Sequence, residues 1–238
     1  MLELKNIQGG YTQGSNVLQG ISLVIQPGET VGIIGLNGCG KSTLGKAIMN
    51  ILPFRTGELR FHGMDISSRA PHTLRHTGIT MVMQGGRIFK NMTIGEHFRI
   101  AANEKNEPEL KKKVEEVENL TGLAKFTFEN RWQQKGSYLS GGEKQQLVLL
   151  MALLQKPELL ILDEISAGLS PANLELTLNV IARIKSQSNL SIMLIEQNLR
   201  MVTQLSNQLL LLERGIIDKE FVIDKNFDIN ILNENIFN

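Results

Sequence analysis

Apolar and polar positions along this chain follow two different periods. Short apolar or alternating runs that are typical of strands dominate the beginning of the chain, at residues 2–7, 17–25, 30–34, 57–61 and 78–82. From about residue 96 to residue 154 the spacing becomes helical, most clearly at 107–120 and 142–154. Strand-like runs then return at 159–162, 191–195 and 208–212. Two more helical stretches, at 42–51 and 173–185, separate neighbouring strands.

Strands that alternate with helices predict a largely parallel sheet with both faces covered. The length of 238 residues suits one large domain. We therefore predict a single α/β domain whose core is built from residues 1–84 and 156–223, with a helical insertion at 85–155. The core would include an N-terminal antiparallel β portion. The tail, residues 224–238, has no period that assigns it to an element.

Composition narrows the classes of function. The 25 Lys and Arg residues nearly balance the 24 Asp and Glu residues, which gives a formal net charge of +1. A chain this close to neutrality is not expected to bind nucleic acid through a basic surface. The single cysteine, Cys39, excludes an intrachain disulfide framework and a Cys-based zinc site. The four histidines, at positions 62, 72, 76 and 97, lack metal-ligand spacing and are expected on the surface or in loops.

The sequence also bears on location. No cationic leader precedes an apolar stretch at the N-terminus, and no run reaches the 18 apolar residues that a membrane span requires. We therefore expect a cytoplasmic protein that reaches a membrane only through a partner.

The segment 35–42, which reads Gly-Leu-Asn-Gly-Cys-Gly-Lys-Ser, fits the phosphate-loop pattern between a strand and a helix. Its glycines allow the backbone to curl around an anion, and the helix that follows adds its positive end. Lys41 would reach the β and γ phosphates of a nucleotide, and the Ser42 hydroxyl would ligate magnesium. The residues expected to bind the nucleotide here are Gly35, Asn37, Gly38, Cys39, Gly40, Lys41, Ser42 and Thr43. Cys39 is expected to favour the thiolate, because the helix end and Lys41 lie beside it.

A buried-strand run at 159–162 ends in two carboxylates, Asp163 and Glu164. The carboxyl end of a strand is where α/β sheets bind ligands. Asp163 would hold magnesium, directly or through water, and Glu164 would polarise the attacking water. Together with the phosphate loop, this strand predicts a P-loop NTPase core that binds a nucleotide and Mg²⁺.

A third motif, Leu-Ser-Gly-Gly-Glu-Lys-Gln at 139–145, precedes the apolar helix and lies upstream of the acidic strand. Physically it is another helix N-terminus with two glycines and a Ser hydroxyl, which makes a second anion-binding cradle. The string resembles the signature motif of ATP-binding-cassette (ABC) ATPases, and its order between the other two motifs matches that family. The resemblance covers residues 1 to about 220.

The resemblance implies roles for residues that the motifs alone do not assign. Tyr11 would stack on adenine, and Gln84 would contact magnesium and water while facing the transporter subunit. The segment 166–170 matches the loop that contacts the second cassette of a dimer. Gln197 stands where most members have a switch histidine, so the implied catalytic set is Lys41, Glu164 and Gln197. The signature residues that would contact the γ-phosphate across that dimer are Ser140, Gly141 and Gly142.

The Glu-Gln-Asn string at 196–198 and the segments 86–89 and 166–171 look like the branch that serves branched-chain amino-acid importers. Three positions depart from the usual patterns. Ile165 replaces a common proline, Ser170 replaces a common aspartate, and Gln84 stands where that branch usually has glutamate.

The resemblance therefore implies the ATP-hydrolysing subunit of a membrane transporter, with amino-acid import as the expected task. It would bind transmembrane permease subunits and pair with a second cassette as a homodimer or a heterodimer. A substrate-binding protein is a further expected partner, and the subunit would lie at the inner face of the membrane. Two alternatives keep the same fold. One is a soluble cassette ATPase acting in cluster assembly, DNA repair or translation, and the other is a nucleotide-binding regulatory subunit with little turnover.

Overall fold

The computed structural model describes residues 1–123, 128 and 131–237, with side chains to Ile236. The described strands are β1 Leu2–Gly10, β2 Leu18–Ile25, β3 Thr30–Ile34, β4 Phe54–Phe61, β5 Met64–Asp65, β6 Ile79–Val82, β7 Leu159–Asp163, β8 Ser191–Ile195, β9 Gln208–Glu213 and β10 Ile216–Val222. The described helices are α1 Lys41–Ile48, α2 Pro71–Leu74, α3 Ile94–Ala102, α4 Glu107–Thr121, α5 Gly141–Leu154, α6 Pro171–Gln187, α7 Leu199–Leu205 and α8 Asn230–Phe237.

The strands form two sheets. The smaller sheet is antiparallel and has the order β2-β1-β4-β5, which is the N-terminal β portion that the sequence predicts. The larger sheet has the order β10-β9-β3-β8-β7-β6. Its strands β9, β3, β8, β7 and β6 are parallel, and β10 pairs antiparallel with β9. The predicted α/β fold with a mostly parallel sheet is confirmed.

Each face of the parallel sheet packs on a different core. Because successive side chains of a strand point to opposite faces, β7 divides its residues between the two. Leu160 and Leu162 join the core that contains the helices α3, α4, α5 and α6, whereas Leu159 and Ile161 pack toward α1 and the antiparallel sheet. All four side chains are fully buried. Burial on both faces explains why the central strands are continuous apolar runs.

The parallel strands all end at one edge of the sheet, and that edge carries the motifs. The phosphate loop follows β3, and the carboxylates Asp163 and Glu164 end β7 or follow it. Glu196 and Gln197 follow β8, and Gln84 lies just beyond β6. Pairing of adjacent strands therefore brings motifs that are far apart in sequence to one side of the sheet.

The predicted insertion, residues 85–155, contains α3, α4 and α5 among its described residues, while 124–127 and 129–130 lie outside the described residues. Its exact bounds remain a prediction. Within the described chain, no helix has the length and apolar character needed to cross a membrane.

The surface placement predicted for the histidines is wrong for His97. This side chain is fully buried in α3. Its Nε2 accepts a hydrogen bond from the Phe89 backbone N–H at 3.0 Å, and its Nδ1 lies 2.7 Å from the Thr93 carbonyl oxygen. A neutral imidazole with its proton on Nδ1 satisfies both contacts. His97 therefore fixes the loop that precedes α3.

The tail also contains structure that the sequence does not predict. Leu232 of α8 is fully buried in the core that includes α5 and α6. Ile236, near the end of the same helix, lines a cavity of about 200 Å³ together with Leu36 and Gln197. The final turn of the described chain thus lies beside the phosphate loop.

Candidate nucleotide-binding site

The phosphate loop leaves β3 through backbone conformations that favour glycine. Gly35 has a φ of 147°, and a Cβ there would lie 2.2 Å from the Leu212 carbonyl oxygen. Gly38 has a φ of 82°, and a Cβ there would meet nothing within 4 Å. The loop then enters α1 at Gly40, whose left-handed conformation forms the N-terminal cap. The first N–H groups of α1 lack helical acceptors, which suits them to bind phosphate oxygens.

Lys41 is the first residue of α1 and is only 4% exposed. Its Nζ donates hydrogen bonds to the carbonyl oxygens of Gly35 at 2.9 Å and Leu36 at 3.0 Å. A buried ammonium is tolerated only where it is paired or hydrogen-bonded. These bonds hold the ammonium group within the loop. A bound phosphate would replace the two carbonyl oxygens as the acceptor of its hydrogen bonds.

Ser42 and Asp163 meet across the two motifs. The Ser42 hydroxyl donates to Asp163 Oδ1 at 2.9 Å. Asp163 is 3% exposed. Burial raises the pKa of its carboxyl, the Ser42 hydrogen bond lowers it less, and the nearby Glu164 adds to the rise. A hydroxyl and a carboxylate are the oxygen donors that Mg²⁺ prefers, and a buried acid with a raised pKa is stabilised by a cation. The pair fits Mg²⁺.

Glu164 follows β7 and is held by its backbone and its side chain. Its φ of 47° lies in the left-handed region, which costs a non-glycine residue about 1–3 kcal/mol. Its backbone N–H donates to the Ile195 carbonyl oxygen at 2.8 Å. Its Oε1 accepts a hydrogen bond from Gln197 Nε2 at 2.6 Å, and the same nitrogen lies 2.6 Å from Asn37 Oδ1. The amide of Gln197 thus joins the phosphate loop, the end of β7 and the end of β8.

Glu196, which the sequence analysis does not single out, lies in the same place. The side chain is 1% exposed, and both of its oxygens accept hydrogen bonds from Ser166. Burial raises the pKa of its carboxyl, although the hydrogen bonds from Ser166 lower it. The signal that could have identified this residue is an acidic side chain directly after a buried strand, as at Asp163.

Tyr11 is tied to the first helix after the phosphate loop. Its hydroxyl lies 3.3 Å from the Thr43 hydroxyl and accepts a hydrogen bond from Lys46 Nζ at 3.0 Å. The Lys46 ammonium also lies 5.1 Å from the centre of the ring. Burial raises the pKa of Tyr11, but the hydrogen bonds from Lys46 and Thr43 outweigh it and the pKa is lowered. With 48% of its surface exposed, the tyrosine can offer its ring to a base.

The signature motif is built as a capped helix. The Ser140 hydroxyl accepts from the Glu143 backbone N–H at 3.3 Å, and a Glu143 oxygen accepts from the Ser140 N–H at 2.8 Å. This reciprocal capping box starts α5. A Cβ on Gly141 would meet nothing within 4 Å, whereas one on Gly142 would lie 2.4 Å from Asn173 Nδ2.

The structure does not bring every candidate residue together. Gln84 lies exposed in the turn after β6. Among the described residues, no hydrogen bond joins 139–143 to the phosphate loop. One copy of the chain thus assembles the phosphate loop, Asp163, Glu164 and Gln197, and presents the signature motif separately.

The surroundings of Cys39 oppose the thiolate that the sequence leads us to expect there. Burial raises the pKa of this thiol, and the nearby Lys41 ammonium only partly lowers it. Lys41 Nζ donates to carbonyl oxygens of the loop, and the cysteine packs against the core around α1. A thiol in an apolar setting resists ionisation.

Comparisons with known proteins agree on one family. A family model described as ABC transporter matches residues 18–167. The probable branched-chain amino acid transport ATP-binding protein LivF of Archaeoglobus fulgidus is 32% identical over 216 residues, covering 90% of this chain and 89% of that protein. The phosphonates import ATP-binding protein PhnC of Treponema denticola is 31% identical, covering 100% of this chain and 95% of that protein. A solved structure of an ATP-binding subunit of an ABC transporter superposes with a TM-score of 0.83 at 26% identity over the full length of both chains.

Proposed function

This chain belongs to the ATP-binding-cassette ATPases, and from that premise we propose that it is the ATP-binding and ATP-hydrolysing subunit of a membrane importer. One observation carries the proposal. The phosphate loop, the Ser42–Asp163 pair and the Glu164–Gln197 pair converge at one edge of the parallel sheet. These are the groups needed to bind a nucleoside triphosphate and to cleave its terminal phosphate.

Binding would begin at the phosphate loop. The loop N–H groups and the N-terminus of α1 would surround the phosphates, and Lys41 would transfer its hydrogen bonds to the β and γ oxygens. The ring of Tyr11 would stack on the adenine. Ser42 and Asp163 would hold Mg²⁺, with Gln84 completing its surroundings from the turn after β6. When bound, the metal neutralises charge on the phosphates.

Hydrolysis would then depend on Glu164. Its carboxylate would accept a proton from the water that attacks the γ-phosphate. Gln197 would hold Glu164 in place through the hydrogen bond described above. It would also help to position the γ-phosphate. A glutamine donates and accepts hydrogen bonds without ever carrying a charge, so it would orient these groups without adding a positive charge.

The second half of each site would come from a second cassette. The signature residues would contact the γ-phosphate of the ATP that is bound to the partner copy; they are Ser140, Gly141 and Gly142. The loop 166–170 would contact the partner across the interface. Binding of each ATP between the phosphate loop of one copy and the signature motif of the other would close the dimer, and hydrolysis would let the dimer open. The subunit would act at the inner face of the membrane through permease subunits, together with a substrate-binding protein.

We propose amino acids as the imported substrate, with branched-chain amino acids first. LivF is named as a branched-chain amino acid transport protein, and the Glu-Gln-Asn string at 196–198 resembles that branch. The similar match to PhnC, named for phosphonate import, makes a phosphonate the competing substrate.

The test is to purify the tagged chain from detergent-solubilised membranes of its native cells. We expect a multi-span membrane protein to co-purify in stoichiometric amount, and we expect the complex to take up radiolabelled leucine in vesicles loaded with ATP. A Ser42→Ala complex should keep the partner and lose uptake. Uptake of methylphosphonate instead of leucine would overturn the substrate. A chain without a membrane partner, whose ATPase activity is stimulated by DNA or ribosomes, would overturn the transport role.

A further inference from the structure

Glu196 is a buried acid outside the assigned set of catalytic groups. It is 1% exposed and lies directly after β8, between the strand and Gln197. Its backbone N–H donates to the Ile33 carbonyl oxygen at 3.1 Å, which fixes it to the strand that leads into the phosphate loop. An acid that is buried at this depth is costly unless its oxygens are fully hydrogen-bonded. A buried acid beside the catalytic groups therefore requires a functional explanation.

The hydrogen bonds of Glu196 join two loops of the site. Its Oε1 accepts from the Ser166 backbone N–H at 2.8 Å, and its Oε2 accepts from the Ser166 hydroxyl at 2.7 Å. Oε2 also lies 3.3 Å from the Gln197 backbone nitrogen, which donates to it. All three donors belong either to the residue beside Glu196 or to the segment that follows Glu164.

We infer that Glu196 is a positioning residue for hydrolysis, which fixes Glu164 and Gln197 relative to each other by tying Ser166 to the end of β8. Glu164 adopts a left-handed conformation two residues before Ser166, so its backbone needs such a restraint. Gln197 is an exposed residue, and its backbone N–H donates a hydrogen bond to the same Glu196 carboxylate. Breaking this connection frees both ends of the 2.6 Å Gln197–Glu164 hydrogen bond. The inference rests on the proposed function, since it assigns Glu196 to the same hydrolytic site.

The connection also reaches the loop that would contact a second cassette. Ser166 begins the segment 166–170, whose last residue, Ser170, caps α6 by accepting from the Asn173 N–H at 3.4 Å. Displacement of this loop by a partner would act on Glu196, and through it on Gln197. Through its bonds to Ser166 and Gln197, Glu196 would therefore link a dimer contact at 166–170 to the catalytic pair.

The test compares Glu196→Ala and Glu196→Gln with the native chain. Removal of all three acceptor contacts by alanine should lower kcat about 30-fold while ATP affinity changes less than about threefold. Glutamine should restore kcat in part, to within about tenfold of native, since its amide oxygen can accept from the Ser166 N–H and its NH₂ group can donate to the Ser166 hydroxyl, whereas no acceptor remains for the Gln197 N–H. ATP affinity is measured by displacement of a fluorescent ATP analogue, and kcat is expressed per folded molecule.

Ser166→Ala provides a second, milder variant that removes one donor. It should lower kcat by about threefold to tenfold, and the double variant with Glu196→Ala should be no worse than Glu196→Ala alone, because both act through one contact. Glu118→Ala is the matched control. It removes another buried glutamate, 8% exposed on α4, and should lower thermal stability without lowering kcat.

Two results would overturn the inference. One is a Glu196→Ala protein that loses stability as the Glu118→Ala control does but keeps native kcat. The other is a parallel loss of ATP affinity and kcat that glutamine does not restore. If the native chain itself does not hydrolyse ATP in this assay, the proposed function fails instead, whatever the Glu196 variants show. Hydrolysis at the native rate by Glu164→Gln would contradict only the role of Glu164.

Discussion

Replacement of Gln197 by alanine tests whether this amide acts in hydrolysis or only in structure. Gln197 Nε2 lies 2.6 Å from an oxygen of Glu164 and 2.6 Å from an oxygen of Asn37, so alanine removes both contacts. A hydrogen bond to a charged group contributes about 1.5–3 kcal/mol. If this energy is lost only in the transition state, kcat falls by roughly 10-fold to 150-fold, because 1.36 kcal/mol corresponds to tenfold in rate.

The assay is steady-state phosphate release, with ATP binding measured separately. We expect Gln197→Ala to lower kcat by roughly 10-fold to 150-fold, and to change ATP affinity by less than about threefold. Gln197→His should keep measurable activity, because an imidazole N–H can replace one of the two contacts. It should also add a titration near pH 6–7 to the rate profile, which the native amide lacks.

The alternative is that Gln197 is an amide at a strand end with only a structural role. The Gln197→Ala protein would then show a lower melting temperature but native turnover per folded molecule. Asn37→Ala serves as the matched variant, because it removes one acceptor of the same amide and leaves the Glu164 contact in place. A native kcat for Gln197→Ala would refute the reasoning.

Three further predictions concern single residues of the site. Burial raises the pKa of Asp163, so this group favours folding below its unfolded pKa and loses that contribution as pH rises through its folded pKa. In the absence of nucleotide and Mg²⁺, Asp163→Asn should therefore raise Tm by about 2–4 °C at pH 7.5 and by less at pH 5. The same variant should lose Mg²⁺-dependent ATPase activity. An unchanged Tm at pH 7.5 would contradict this prediction. Tyr11→Ala should weaken ATP binding about tenfold, since base stacking on an aromatic ring contributes about 1–3 kcal/mol, whereas Tyr11→Phe should stay within about twofold of native. Equal losses for both would show that the hydroxyl, not the ring, matters. The raised pKa of Cys39 predicts that iodoacetamide labels this thiol more slowly than free cysteine at pH 7, and that the labelling rate still rises above pH 9. Mass spectrometry measures the labelling rate, and a rate faster than that of free cysteine at pH 7 would contradict the prediction.

The sequence predicts the parts of this fold that have strong local signals. Apolar runs without alternation identify the central strands, because both faces of β7 and β8 are buried. The phosphate loop is predicted from glycines that the backbone requires, as at Gly35. The family resemblance is confirmed by relatives such as LivF.

Other features depend on tertiary contacts that no local pattern encodes. The helix α8 is held by Leu232 packing into a core that is distant in sequence. Cys39 lies at a helix N-terminus that favours a thiolate, but burial dominates. The bonds between Glu196 and Ser166 span 30 residues of sequence and exist because β7 and β8 are neighbours. Such contacts follow from the fold rather than from spacing.

The measurement that tests the central claim most directly is the oligomeric state of Glu164→Gln in ATP. This variant should keep the phosphate contacts of Lys41 and Ser42 while losing the group that activates water. Size-exclusion chromatography with light scattering should show a dimer in ATP and Mg²⁺ that returns to monomer in ADP, with phosphate release at least about 10²-fold below native. A protein that stays monomeric in ATP and still hydrolyses it would contradict the assignment of Glu164 and the proposed ATP-driven closure.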